Sequence, residues 1–176
     1  MNAWSHHEDA GFTMKTLVLV RHAKSSWGDP GLPDHSRPLN DRGRRDAPEM
    51  GRRMKQRDIR PDVILSSTAV RARTTAQIIA AALDVLPASV VLEDRLYAAS
   101  VETLLAVIQA LDDSLDCVVL VGHNPEITGL AQNFADDIGH MPTCAVAEFG
   151  FAGGAWAAVP DQPAAHVYFD SPGRHA

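Results

Sequence analysis

The sequence contains little of what secreted and membrane proteins use for stability. It has only two cysteines, Cys117 and Cys144, too few for a disulfide framework, so we expect reduced thiols and a cytoplasmic protein. No apolar run is long enough to span a bilayer. The opening residues MNAWSHHEDAGFT lack the basic start and apolar centre of a signal peptide. We predict that residues 1–13 form a disordered extension and that residues 14–176 form a single domain.

Two phosphate-handling chemistries lack their usual motifs. A Cys-x5-Arg phosphatase needs an arginine six residues after its cysteine, but His123 and Gly150 occupy those positions. The eight histidines include no His-x-His or Asp-x-His pair, and GHNP is not the Gly-Asn-His order of metallophosphoesterases. We therefore predict no metal site and no cofactor.

The charge pattern argues against nucleic-acid and membrane partners. The formal net charge is −6, so the chain as a whole has no electrostatic attraction to nucleic acids or to anionic membranes. One segment, residues 37–60, is nonetheless rich in basic residues: Arg37, Arg42, Arg44, Arg45, Arg52, Arg53, Lys55, Arg57 and Arg60. This pattern is typical of a solvated helix face, and the alternative is a docking surface for an acidic or phosphorylated partner.

Strand and helix patterns alternate along the chain, which predicts an α/β fold. Continuous apolar runs at residues 16–20, 63–65 and 117–121 are typical of inner strands of a mainly parallel sheet, covered by helices on both faces as a three-layer αβα sandwich. Near the C-terminus, CAVAEFGF, the Gly153-Gly154 pair and AWAAV predict a β-hairpin, followed by a strand at AHVYF.

Four side chains that favour helix N-termini mark the predicted helices. Asn40 begins a helix that extends to about residue 57, and Ser100 begins another. Thr68 is the predicted N-cap of the helix after the second strand. Asn124, followed by Pro125, predicts a further helix start.

The ends of these strands carry the residues that suggest a function. LVLVRH and VVLVGH end in His22 and His123, and the helix after VILSS carries Arg71 and Arg73. Because carboxyl ends of parallel strands meet at one edge, these side chains should share a crevice with Arg21. Guanidinium groups, imidazoles and helix N-termini together favour a phosphoryl group.

Three blocks resemble a known family in order and spacing, over roughly residues 15–159. RHAKSSW resembles the Arg-His-Gly signature of the histidine phosphatase superfamily, with Ala23 in place of the glycine. SSTAVRARTTA is similar to the family's Ser-Ser-Pro-x-x-Arg-Ala-x-x-Thr-Ala segment, and VGHNP resembles the block with the second histidine. The short chain and RPLNDRGRRDA resemble the small SixA-like phosphohistidine phosphatases, which implies a phosphoglycerate mutase-like fold.

The resemblance also implies a role for each matched residue. His22 would be the nucleophile that forms a phosphohistidine intermediate, and Arg21 and Arg71 would bind the phosphoryl oxygens. His123 would stabilise the charge that develops during transfer. Ser25 stands where the family often has a phosphate-contacting threonine, and Asn124 borders the same site. The substrate would be a phosphorylated protein or small molecule, and the product inorganic phosphate.

The sequence departs from the larger family members at the proton donor to the leaving group. Those members carry a glutamate just after an Arg-Leu pair, where this chain has Tyr97, Ala98 and Ala99. Four residues are alternatives for the acid, and the sequence does not choose among them: Glu93, Asp94, Asp34 and His35.

Two other functions remain open at this point. The same site would serve a phosphomonoesterase of small molecules. A module that binds phosphoproteins without turnover would also keep the arginines, although the presence of both histidines favours an enzyme.

Overall fold

The computed structural model describes residues 13–174. Its strands and α-helices are β1 (Met14–Arg21), α1 (Asp41–Gln56), β2 (Val63–Ser66), α2 (Val70–Ala82), β3 (Val90–Leu92), α3 (Val101–Gln109), β4 (Cys117–Gly122), α4 (Glu126–Phe134), β5 (Val146–Ala152) and β6 (His166–Asp170). Of the predicted extension, only Thr13 lies within the described residues, where its carbonyl accepts a hydrogen bond from Gly153 N at 2.9 Å. Within residues 13–174, no helix has the length and apolar character needed to cross a bilayer.

The strands form one six-stranded sheet in the order β3-β2-β4-β1-β5-β6. β4 pairs in parallel with β1 and with β2, and β2 pairs in parallel with β3. β5 pairs antiparallel with both β1 and β6. The three predicted inner strands are confirmed as β1, β2 and β4, and they bring Arg21 of β1 opposite Gly122 of β4. The carboxyl ends of three inner strands therefore share one edge of the sheet.

Helices cover both faces of the sheet, which confirms the predicted three layers. Side chains alternate along β1, so that Leu17 and Leu19 pack with α3 and α4, and Val18 and Val20 pack with α1 and α2. α1 also lies close to the loop after β1, since a Cβ atom at Gly43 would clash with the Lys24 carbonyl oxygen.

Two of the four predicted helix caps are confirmed. Asn40 Oδ1 accepts from Gly43 N at 2.9 Å, and Ser100 Oγ accepts from Thr103 N at 3.1 Å. The Thr68 prediction is wrong: Ala69 precedes α2, and the Thr68 hydroxyl instead bonds His35 Nε2 at 2.9 Å. Tertiary contact with a neighbouring loop therefore replaces the local cap.

The predictions for the helix after β4 and for the tail also need correction. Pro125 precedes α4, and the Asn124 side chain caps no backbone amide. AWAAV is not a strand, because Trp156–Asp161 forms a 3₁₀ helix and the buried Trp156 donates its indole N–H to the Leu115 carbonyl at 2.8 Å. The strand that forms the hairpin with β5 is β6, so the hairpin has a longer connection than the Gly-Gly pair predicts.

Ion pairs within the chain engage seven of the nine basic residues between positions 37 and 60. Arg57, for example, bonds Glu148 of β5 at 2.8 Å, and Arg53 bonds Asp170 of β6 at 3.3 Å. This favours a salt-bridged helix face over a surface held ready for an acidic partner.

Candidate active site

His22 and His123 lie side by side at the carboxyl edge of the sheet. Each follows its strand directly, and His22 N donates to the Gly122 carbonyl at 3.0 Å, which ties the two strand ends together. The ring centroids are 5.0 Å apart. The structure therefore brings together the two histidines that the strand pattern predicts at one edge.

Hydrogen bonds assign the tautomer of the buried His22 ring. Nδ1 stands 2.8 Å from the Ala23 carbonyl oxygen, which can only accept, so Nδ1 carries the proton. Nε2 therefore holds a lone pair, to which Arg71 Nε donates at 3.3 Å. Burial, together with the charges of His123, Arg71 and Arg21, lowers the pKa of His22 to about 3. Near neutral pH the ring is uncharged, with Nε2 available as a nucleophile.

The His123 ring has one partnered and one unpartnered nitrogen. Nε2 lies 2.8 Å from Ser67 Oγ, and that hydroxyl oxygen also accepts from Ala69 N at 3.2 Å. When the Ser67 hydroxyl donates to Nε2, Nδ1 carries a proton, and this buried nitrogen has no hydrogen-bond partner among the described residues. Burial and the positive charge of Arg71 lower the pKa of His123 to about 4.

Arg71 is the arginine that the structure places against His22. It lies in the first turn of α2 and is buried, whereas Arg73 is half-buried and has no side-chain hydrogen bond among residues 13–174. Arg21 Nη1 donates to the Met141 carbonyl at 3.0 Å, and its buried Nε has no partner within the described chain. An unsatisfied buried donor costs about 1–3 kcal/mol, so a bound anion would relieve both Arg21 Nε and His123 Nδ1.

The side chains of Ser25 and Asn124 are engaged in internal contacts. Ser25 Oγ accepts from Arg37 Nη2. Asn124 Nδ2 donates to the Met141 carbonyl at 2.9 Å, and Asn124 Oδ1 accepts from the Thr128 hydroxyl at 2.8 Å. Both residues border the site, and the structure gives them supporting contacts there; a direct phosphate contact stays a prediction for each.

Sequence reasoning missed a network around Asp34 at the mouth of the site. The Asp34 carboxylate accepts from Arg71 Nη2 at 3.0 Å, from Arg37 Nη1 at 2.8 Å and from the Tyr97 hydroxyl at 2.9 Å. Although partial desolvation opposes it, these hydrogen bonds hold the pKa of Asp34 at about 2. The three partners lie 37, 3 and 63 residues away along the chain, so only the Arg37 pair had a local signal.

The other residues named as acids differ in their surroundings. Glu93 pairs with Arg95 at 3.0 Å, and hydrogen bonds from Arg95 lower the pKa of Glu93. Asp94 is exposed, and His35 bonds Thr68 and stands edge-on to Tyr97 at 4.7 Å between centroids. None of these contacts singles out a proton donor.

Two depressions adjoin the site, one beside His123 and the other beside Arg21, and both are lined by Asn124 and Glu126. A pocket of about 190 Å³ is lined by Asp34, Tyr97 and His123, among others, and a cleft of about 670 Å³ adjoins Arg21 and the first turn of α4. Glu126 lines both depressions and is half-buried. Space next to the site is therefore present beside His123 and beside Arg21.

The remaining reactive groups do not belong to this site. Burial raises the pKa of the Cys117 and Cys144 thiols to about 12, which makes them poor nucleophiles near neutral pH. No group of three or more His, Cys, Asp or Glu side chains that could hold a metal ion occurs within residues 13–174. Arg21 and Arg71 place two guanidinium groups at the site.

Comparisons with known proteins agree with this geometry. Residues 17–104 match the model of the histidine phosphatase superfamily (branch 1). An uncharacterized protein of Mycobacterium tuberculosis is 34% identical over 164 residues, which cover 87% of this chain and 99% of that protein. Because the match to the family model spans half of the chain, the chain belongs to the histidine phosphatase superfamily.

Solved structures refine this assignment. A candidate phosphohistidine phosphatase SixA from Nakamurella multipartitia is 27% identical and superposes with a TM-score of 0.78, covering 92% of this chain and 98% of the other. A candidate phosphohistidine phosphatase SixA from Agrobacterium tumefaciens is 34% identical with a TM-score of 0.71, covering 77% and 90%. The chain has the phosphoglycerate mutase-like fold, belongs to the SixA-like branch and is a phosphatase that works through a histidine.

Proposed function

We propose that this protein hydrolyses phosphohistidine carried by another protein, through a covalent phosphoryl intermediate on His22. The observation that carries the proposal is the placement of His22 Nε2. The hydrogen bond from Nδ1 to Ala23 leaves the lone pair on Nε2, to which Arg71 Nε donates. The ring also lies beside His123 and close enough to Arg21 for that charge to lower the His22 pKa. A nucleophile surrounded by donors suits in-line phosphoryl transfer, which depends mainly on positioning and positive charge.

The reaction has two displacements at phosphorus. In the first, His22 Nε2 forms a bond to phosphorus while the bond between phosphorus and the substrate imidazole breaks, and a solvent proton goes to the departing nitrogen. In the second, water attacks the phosphorus of phospho-His22, the bond to Nε2 breaks, and inorganic phosphate leaves after losing a proton to solvent. Because Nδ1 keeps its proton throughout, the phosphorylated ring is cationic and leaves easily.

The surrounding donors have separate tasks. Arg21 and Arg71 would bind oxygens of the transferring group through their charged N–H groups, and His123 Nδ1–H would stabilise charge that develops in the transition state. The bond from Ala23 N to the buried Thr75 hydroxyl, at 3.0 Å, holds the turn that orients the His22 ring. Ser67 orients His123 in the same way.

The leaving group is the basis for choosing phosphohistidine as substrate. An alkoxide is strongly basic, so an alkyl phosphate needs a proton from a well-placed acid. An ordinary histidine titrates near pH 6.5, so solvent can protonate a departing imidazole. Asp34 is held ionised, and Glu93 is paired with Arg95, so neither is suited to donate a proton near neutral pH. The cleft of about 670 Å³ beside Arg21 also offers space for a residue presented by a protein surface.

The first experiment tests the nucleophile. We expect His22→Ala to abolish turnover while the thermal unfolding midpoint stays close to that of the wild type, because His22 lies at a strand end. His166→Ala, which removes an exposed histidine from β6, is the matched control and should keep full activity. Trapping of ³²P on the wild-type protein but not on His22→Ala supports the intermediate. Undiminished activity of His22→Ala would refute it.

The second experiment tests the substrate class. On one preparation, kcat/KM is compared for a phosphohistidine protein, p-nitrophenyl phosphate and serine phosphate, and we expect the alkyl ester to be poorest. If serine phosphate is best, an acid is present and the small-molecule phosphomonoesterase replaces our proposal. Glu126→Gln then shows whether that acid is Glu126. Phosphoprotein binding without turnover of any substrate would instead identify a binding module.

A further inference from the structure

The side chain that orients Arg71 comes from the loop between β1 and α1. Arg71 Nη1 donates to the Asp34 carbonyl at 2.7 Å, and Arg71 Nη2 donates to the Asp34 carboxylate at 3.0 Å. The Nε group of the same guanidinium donates to His22 Nε2 at 3.3 Å. Three of the five N–H groups of Arg71 are thereby directed by two residues, and the plane of the guanidinium is defined before any substrate binds.

Asp34 is itself held from the side opposite Arg71. Arg37 donates to the other carboxylate oxygen at 2.8 Å, and Arg37 is a buried side chain that also bonds Ser25 Oγ and the Ser26 carbonyl at 3.0 Å. The Arg37 guanidinium stacks on the Trp27 ring at 3.3 Å from the centroid. Arg37 therefore fixes Asp34 to the loop that follows the nucleophile.

A third donor closes the network across the pocket. Tyr97, which follows the Asp94–Leu96 3₁₀ turn, donates its hydroxyl to the carboxylate oxygen that Arg71 also contacts. All three donors favour the charged form of Asp34, and the pKa of this carboxyl is about 2. Asp34 therefore has no proton to give near neutral pH, although it stands at the mouth of the site where an acid would be needed.

We propose that Asp34 is a positioning residue that holds the Arg71 guanidinium in the orientation needed for phosphoryl transfer, and that it is not the proton donor to the leaving group. This inference rests on the proposed function in one respect, namely that Arg71 contacts the transferring phosphoryl group. A misplacement of a catalytic group by about 1 Å can lower a rate by about 100-fold. Loss of the Asp34 carboxylate should therefore reduce activity without removing any group that touches substrate.

The test compares two substitutions on two substrates. Asp34→Ala removes the acceptor, and we expect it to lower kcat/KM by about 10- to 100-fold for p-nitrophenyl phosphate and for serine phosphate alike. Asp34→Asn keeps an acceptor oxygen of similar shape and should recover about half of that loss on a logarithmic scale. Asp137→Ala is the matched control, since Asp137 is an exposed carboxylate without a side-chain hydrogen bond among the described residues, and it should leave both values unchanged.

The pattern across substrates separates positioning from acid catalysis. A donor of the leaving-group proton affects poor leaving groups far more than good ones. A loss confined to serine phosphate, or no loss with either substrate, would overturn the proposal. The second measurement is a double-mutant cycle that combines Asp34→Ala with Arg71→Ala. The quantity compared is the affinity for vanadate, measured by calorimetry. We expect Asp34→Ala to add little once Arg71 is absent, and fully additive effects would contradict a role exerted through Arg71.

Replacement variants are available if Asp34→Ala prevents folding. If the Asp34→Ala protein does not fold, the Asp34→Asn and Tyr97→Phe variants are measured instead. Tyr97→Phe removes one donor to the Asp34 carboxylate and keeps the contact between Arg71 and the Asp34 carbonyl. We expect Tyr97→Phe to lower kcat/KM for both substrates by the same factor. Failure of the proposed function is distinguishable, since it shows as undiminished activity of His22→Ala whatever the Asp34 variants do.

Discussion

The ionisation of His22 can be measured directly, and it tests the electrostatics of the site. Burial and the adjoining positive charges lower the pKa of His22 to about 3, against about 6.5 for an ordinary histidine. At pH 5 the His22 ring should be about 1% protonated, whereas an ordinary histidine would be about 97% protonated. Histidine ring resonances in ¹H–¹⁵N NMR spectra, assigned by comparison with His22→Ala, report this fraction between pH 8 and pH 4.

We expect His22 to keep the neutral pattern, with the proton on Nδ1, across that whole range. Arg71→Gln should raise the pKa of His22 but leave it below 6.5, because burial is the larger cause of the shift and remains in the variant. A His22 resonance that titrates near pH 6.5 in the wild-type protein, or a neutral ring with its proton on Nε2, would refute the assignment of Nε2 as the waiting nucleophile.

Two further predictions concern the arginines and the stability of the protein. Arg71→Ala should lower kcat/KM by about 100- to 1,000-fold, as loss of an oxyanion donor does; Arg73→Ala in the same helix should stay within about threefold, and a larger defect at Arg73 would reassign the phosphate contact. The pKa values of His22 and His123 in the folded protein, about 3 and about 4, lie below the value of an unfolded histidine. Below pH 6.5 the unfolded state therefore binds more protons than the folded state does. The free energy of unfolding, measured by urea titration, should therefore be highest above pH 6.5 and fall between pH 6.5 and pH 4. In a variant with asparagine at positions 22 and 123, the free energy of unfolding should fall less over the same pH range.

Local sequence patterns were sufficient for the framework of the site. Continuous apolar runs predicted β1, β2 and β4, because an inner strand needs apolar side chains on both faces. The position of a histidine directly after two of these strands then followed from the chain itself. The caps at Asn40 and Ser100 were also predictable, since each bonds an amide three residues away.

Contacts between distant segments decided what the patterns could not. Thr68 bonds His35 and Asn124 bonds Met141, so neither serves as the cap that its local sequence suggests. AWAAV alternates like a strand, but burial of Trp156 and its bond to Leu115 favour a 3₁₀ helix there. In each case a side-chain partner supplied by the fold replaces the one that the neighbouring residues would offer.

The chemical state of the site was also decided by tertiary structure alone. The sequence names His22 and Arg71 by their place in a motif, yet the protonation state of His22 depends on how deeply the ring is buried and on which charges surround it. The pKa of Asp34 falls to about 2 because Arg37, Arg71 and Tyr97 converge on it from three different segments. Hydrophobic periodicity is a local property that determines where strands end, whereas burial and charge proximity arise only when those segments pack together.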